Sequence, residues 1–232
     1  MIDTPFQPDP AVVGEVLRYA QLLVRRGFVS NTLGNIAIRG GLNASDLGRS
    51  VYTKHRGLSL EEMTASHVVV TDLGGALVHG TTPPSVGHQM NRRILELRRD
   101  INCVMHVHID HVIGYFSVQQ DERFRYVSAD AALVLQAPIK VLPANVNIEA
   151  DVAGIDGFIQ STNCVVMPNH GVTTLGRTAS EAFHRMTTLA AEVSRIITAG
   201  TVAAAWGRQV TYVSDAETTD MYRTGRTVIY GE

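Results

Sequence analysis

Apolar positions along this chain recur with two spacings, one helical and one alternating, and the boundaries between them fall at Gly, Pro, Asn and Asp. Asp9-Pro10 opens a helix whose stripe is Val12, Val13, Val16, Leu17, Ala20, Leu23 and Val24, ending at Gly27. Asn35 to Arg39 alternates as a strand before a turn at Gly40-Gly41-Leu42-Asn43, with Val51 to Thr53 as its hairpin partner. Ser59 and Glu62 make a capping-box pattern for a short helix to Met63. A strand from His67 to Thr71, a turn at Asp72-Leu73-Gly74-Gly75 and a returning strand at Ala76 to Val78 follow. After Thr81-Thr82-Pro83-Pro84-Ser85 comes a helix carrying Met90, Ile94 and Leu97 at helical spacing.

An apolar run, Ile101, Cys103, Val104 and Met105, then reads as a buried strand ending in His106-Val107-His108. Beyond it the pattern predicts a helix over Val112 to Val118, a strand over Ile139 to Leu142 and a helix over Val152 to Ile159. A buried strand at Cys164 to Met167 runs into the turn Pro168-Asn169-His170-Gly171 and another strand, Val172 to Leu175. Thr178 and Glu181 open a long helix to about Thr198, and the tail 207–232 lacks periodicity and reads as an arm. Helices interspersed with hairpins predict a mixed or antiparallel sheet covered on both sides, in one domain over 1–232.

Composition narrows the function classes. The hydrophobic share of 45% with 18% charged residues suits a soluble fold, and no apolar run is long enough to span a bilayer, so no membrane partner is expected. Met1 to Pro10 is acidic and Pro-rich without an apolar signal core, which makes the cytoplasm the expected compartment. Cys103 and Cys164 each sit in an apolar run and read as buried thiols. A net charge of −2 leaves no footprint for nucleic acid, and a small-molecule partner is the default.

Side chains two apart on a strand share a face, so His106 and His108 project together, about 7 Å apart along the backbone. His170, at the end of a second apolar strand and beside Gly171, is the best third ligand. Three imidazoles leave a coordination position open, the mark of a catalytic divalent site. The alternative is a set of buried, hydrogen-bonded histidines. His111 suits a rim or capping role, and His67, His79 and His184 need no function.

Asn35 in Leu33-Gly34-Asn35-Ile36, Gly57 to Thr64, Val68 to Asp72, Pro84-Ser85, His106-Val107-His108 and Asn169-His170-Gly171 occur in an order that resembles the class II aldolase/adducin family, from about residue 12 to 198. The resemblance implies an α/β fold, an αβα sandwich around a largely antiparallel sheet, assembled as a homotetramer with active sites between subunits. It implies zinc, or alternatively manganese, on His106, His108 and His170. That ion would stabilise an enolate or enediolate as a Lewis acid.

The chain departs from the family pattern at informative positions. Family aldolases carry a general acid/base glutamate where this sequence has Gly87, in Pro84-Ser85-Val86-Gly87. His88 is adjacent but points about 100° away on a helix. Asp130 lies near the position from which relatives reach a neighbouring subunit's site, although it also suits a helix cap, and Tyr222 and Tyr230 offer tail phenols. Arg56, within Lys54-His55-Arg56-Gly57, stands where a small hydroxyl residue is usual. It reads either as a carboxylate or phosphate clamp or as part of a solvated basic loop.

Asn35, Arg56, Gly57 and Ser85 are thus the expected substrate contacts, with His88 and Asp130 as candidate proton-moving groups. A retained metal without a general base points first to a carbon-carbon lyase that decarboxylates a hydroxy- or oxo-compound. The alternatives are a retro-aldolase or epimerase and a non-catalytic adducin-like assembly domain.

Overall fold

The computed structural model describes residues 6–40, 50–119 and 123–231. Among the described residues eight strands form one sheet: β1 (Asn35–Arg39), β2 (Ser50–Lys54), β3 (Val68–Asp72), β4 (Leu77–His79), β5 (Cys103–Val107), β6 (Lys140–Val141), β7 (Cys164–Met167) and β8 (Gly171–Gly176). Their order is β4-β3-β2-β1-β5-β8-β7-β6, and every neighbouring pair is antiparallel except β6 with β7. The expected largely antiparallel sheet with helices on both sides is therefore the observed architecture.

The alternation along each strand feeds two cores. Ile36, Ile38, Cys103, Met105 and Val107 pack on the side of α1 (Pro10–Arg25), α3 (Asp110–Val118), α4 (Ala129–Leu135) and α5 (Ala179–Ala205). Ala37, Val104, Val165 and Leu175 face α2 (His88–Leu97), whose Met90, Ile94 and Leu95 are fully buried. Burying one such side chain contributes about 1.5–3 kcal/mol, so the α2 layer is firmly docked on the sheet.

Local chemistry explains the helix starts. Asp9 accepts from the Ala11 amide at 2.8 Å, and Thr178 accepts from the Glu181 amide at 3.1 Å. The Ser59–Glu62 capping box forms, yet it encloses a single 3-10 turn, Leu60–Glu62, because Met63 already turns to extended backbone. The helix expected over Val152 to Ile159 is instead two 3-10 turns, Val152–Ile155 and Ile159–Ser161, in a segment interrupted by Gly154 and Gly157. Helix α5 continues past Thr198 to Ala205, through an Ala-rich end that favours helix. Beyond Gly40, the turn expected at Gly40 to Asn43 lies outside the described residues.

The tail needs a larger correction. Residues Asp215–Tyr230 form a sixth helix, α6, capped by Ser214 and packed on α4. Gly225 lies directly against the Leu133 carbonyl, and Tyr222 donates a 2.9 Å hydrogen bond to the Tyr126 hydroxyl. Gly225 is the buried residue of α6, and Met221 and Tyr222 pack on the core, too few apolar positions to make a stripe.

Candidate metal centre and substrate pocket

Strand β5 places its two histidines by alternation. Met105 and Val107 face the α1/α5 core, so His106 faces the α2 side, opposite Asn35 of β1 and Thr173 of β8. His106 Nδ1 lies 2.9 Å from Thr173 Oγ1, and that hydroxyl in turn points at Met90 Sδ, 4.0 Å away. The network assigns the proton to His106 Nδ1, leaving the Nε2 lone pair facing the pocket. Burial pushes the His106 imidazole down to about 3, which keeps it neutral. His108, just past the strand, is also held below its ordinary value, by burial and then by His170.

His170 arrives on the β7–β8 hairpin, whose Asn169 takes a positive φ of 61°. A β-carbon on Gly171 would sit 2.7 Å from the Val107 carbonyl and 3.0 Å from His106 Cε1, so glycine allows this backbone to close on the His106 ring. The three imidazole centroids are then 4.9, 5.3 and 4.9 Å apart, and one ligand atom from each lies within 4.8 Å of the others. Three imidazole nitrogens converging on one point, with the His106 tautomer set by Thr173, are a donor set that fits a divalent cation.

A residue absent from the expectations completes this group. Glu149, in the loop between β6 and β7, places Oε2 3.1 Å from His170 Nε2 and Oε1 4.0 Å from His106 Nε2. Burial acts to raise its pKa, but the His170 hydrogen bond and the neighbouring imidazoles outweigh that and hold the carboxyl below its ordinary value. No local pattern in the sequence marks it, since the loop mixes apolar Val146 and Ile148 with polar neighbours.

The imidazoles form one end of a cavity of about 230 Å³. Asn35, Arg56, Gly57 and Ser85 line it, together with Gly87 and Glu149. Asn35 is oriented from α2, since Asn91 Nδ2 donates to its Oδ1 at 2.6 Å. The Gly57 loop is tied to the Ser85 segment by the amides of Arg56 and Ser85, which donate to the Pro83 and Lys54 carbonyls. The basic cluster divides its roles: Lys54 and Arg56 both line the cavity, the Lys54 ammonium donating to the carbonyls of Thr32 and Leu58, while His55 Nδ1 lies 2.8 Å from the Arg56 carbonyl oxygen.

Other candidates sit elsewhere in the chain. His88 is buried in α2 with Nε2 2.7 Å from Thr71 Oγ1, pointing into the sheet and away from the cavity. Asp130 lies in the first turn of α4, in a separate groove with Arg26 and Arg195, and Ser128 rather than Asp130 is the cap residue. Tyr222 is bonded to Tyr126, and Arg177 stacks over the Tyr230 ring at 5.1 Å. His111 Nε2 lies 3.0 Å from the Ala190 carbonyl oxygen, joining α3 to α5.

Residues 14–195 match the Class II Aldolase and Adducin N-terminal domain model. The chain belongs to the class II aldolase/adducin family. Among class II aldolase relatives, an L-fuculose phosphate aldolase of Methanococcus maripaludis is 26% identical over 171 residues, 73% of this chain and 87% of that protein. Human gamma-adducin is 28% identical over 134 residues, 56% of this chain and 19% of its own length.

Solved structures of the family share the fold. YgbL from Klebsiella pneumoniae, described as a putative aldolase/epimerase/decarboxylase, superposes with a TM-score of 0.77 at 19% identity, covering 93% of this chain and 100% of that one. An L-fuculose 1-phosphate aldolase superposes at 0.75 and 18% identity, covering 93% and 96%. Family membership points to lyase-type chemistry, while its adducin branch shows that the domain also occurs in adducins. Among the described residues no helix is long and apolar enough to cross a membrane.

Proposed function

We propose that this chain is a divalent-cation-dependent carbon-carbon lyase that cleaves a small hydroxycarbonyl compound bearing an anionic group. The observation that carries this reading is the convergence of His106, His108 and His170 on a cavity that also presents Arg56 and Asn35. A zinc or manganese ion held by the three imidazoles would supply Lewis-acid stabilisation of the negative charge that develops on a substrate oxygen. Arg56 holds the anionic group by charge-assisted hydrogen bonds, and the Asn35 amide fixes a hydroxyl or carbonyl.

In retro-aldol cleavage a substrate hydroxyl loses its proton, the adjacent carbon-carbon bond breaks, and its electron pair passes to the carbonyl as an enolate that is then protonated. Such a reaction needs a proton acceptor, and Glu149 puts an ionised carboxylate on the cavity wall. Decarboxylation was the first expectation because position 87 offers no base; Glu149 removes that premise, and aldol cleavage takes the lead. Decarboxylation remains the second reading, favoured by the Arg56 guanidinium as a carboxylate clamp.

Asp130, Tyr222 and Tyr230 enter this reading only through a neighbouring copy, and sedimentation of the purified chain, expected as a homotetramer, tests that. The activity test is a panel of hydroxycarbonyl phosphates and carboxylates incubated with zinc- or manganese-loaded protein. Aldehyde release supports aldol cleavage, carbon dioxide release supports decarboxylation, and neither product with any substrate overturns the lyase reading.

A further inference from the structure

The Glu149 carboxylate reaches the imidazoles through space that exists because residue 87 has no side chain. A β-carbon built on Gly87 would overlap Glu149 Oε1 and stand 2.7 Å from Asn35 Nδ2. Gly87 itself has φ −71° and ψ 1°, a conformation open to any L-residue, so the backbone does not demand glycine there. The carboxylate does. Its loop is anchored on both sides: Ile148 is fully buried against the α2-side core, and Asn147 Oδ1 accepts from the Glu149 amide at 2.9 Å. The Asn147 carbonyl also accepts from the amides of Ala150 and Asp151.

Four donors about 2.0–2.1 Å from one cation stand about 3.3 Å from each other in a tetrahedron. The His106–His108 Nε2 separation is 3.0 Å and Glu149 Oε2 lies 3.1 Å from His170 Nε2, both close to that edge, while the other carboxylate oxygen, Oε1, is 4.0 Å from His106 Nε2. We propose that Glu149 is the fourth protein donor of this centre in the substrate-free protein, and that Gly87 is the position that admits it. This rests on the cation site of the function proposed above and adds the source of its carboxylate, a loop remote in sequence from residue 87.

Zinc affinity of the full chain, measured by competition with a chromophoric chelator, tests this together with the visible spectrum of the cobalt-loaded protein. Glu149→Gln and Gly87→Ala are each expected to weaken zinc at least about tenfold and to alter the cobalt spectrum, with far-UV circular dichroism unchanged. Adding Gly87→Ala to Glu149→Gln is expected to cost nothing further, because both act on one carboxylate.

Unchanged affinity and spectrum in Glu149→Gln, an isosteric variant, overturn the proposal, as does a full additive loss in the double variant. Binding is read without substrate, so zinc weakened by Glu149→Gln in a chain that cleaves nothing supports this proposal and overturns the lyase reading. A parent chain that binds no divalent cation overturns both.

Discussion

Thr173 and His106 sit directly opposite each other on the β5–β8 ladder, and their side chains meet at 2.9 Å on the face turned toward α2. The hydroxyl oxygen accepts a hydrogen bond from Nδ1–H and so decides which ring nitrogen faces the cavity. Thr173→Val keeps the shape and removes the acceptor, leaving a buried N–H unpaired at a cost of about 1–3 kcal/mol. Cation affinity is expected to fall about 10–100-fold. Urea denaturation and chelator competition on the same preparation measure the two effects, and unchanged zinc affinity would show that the ring is oriented by something else.

Chelation should abolish turnover, and His106→Ala should make the loss irreversible. Dialysis against a chelator, followed by re-addition of zinc or manganese, is expected to restore activity to the parent chain alone. Metal content per chain, read by elemental analysis, is expected near one in the parent and near zero in His106→Ala.

Arg56 contributes one charge to the cavity wall, and a charge-assisted hydrogen bond is worth about 1.5–3 kcal/mol. Arg56→Met is therefore expected to raise KM about 10–100-fold for an anionic substrate while changing kcat much less. Steady-state kinetics on a matched neutral substrate should show little difference between parent and variant. Equal losses on both substrates would remove Arg56 from anion binding.

Acid sensitivity should trace in part to His88. Burial, with Arg92 nearby, pushes this imidazole down to about 3, whereas in the unfolded chain it titrates near 6.5. The unfolded state therefore binds a proton that the folded state refuses. His88 contributes its full stabilisation above about pH 6.5, and about 1.4 kcal/mol is lost per pH unit below that until the folded state itself protonates near pH 3. His88→Gln is expected to flatten the fall in urea midpoint between pH 6.5 and 4, and identical slopes in parent and variant would rule this out.

A buried ion pair within α5 holds Arg185 where it can bond the sheet. Arg185 Nη2 donates to Glu181 Oε1 at 2.8 Å, both residues are 2% exposed, and Arg185 Nη1 donates to the Leu175 carbonyl at 2.7 Å. Glu181→Ala leaves the guanidinium buried without its carboxylate and is expected to destabilise the chain by about 3–5 kcal/mol, read as a shifted urea midpoint at neutral pH.

The sequence by itself determined most strands, the αβα layering and the three imidazoles. These follow from period-two alternation, turn residues and a His-x-His at a strand end, all local signals carried by neighbouring residues. Length and character were less legible where local rules compete: Gly154 and Gly157 reduced an expected helix to 3-10 turns, and α6 formed from a polar stretch because Gly225 and Tyr222 dock on α4 and its neighbour Tyr126.

Only the tertiary structure decided how the site is equipped. His88 is turned away from the cavity because adjacent helix positions point about 100° apart, and its ring is spent on Thr71. Lys54 and Arg56 both line the cavity, but the Lys54 ammonium is spent on the backbone carbonyls of Thr32 and Leu58. Position 87 carries no carboxylate, and the one that stands beside the imidazoles is Glu149, 62 positions along by their numbers. A glycine and a glutamate so far apart carry no periodic relation, and their complementarity arises only when the sheet brings the β6–β7 loop over the start of α2.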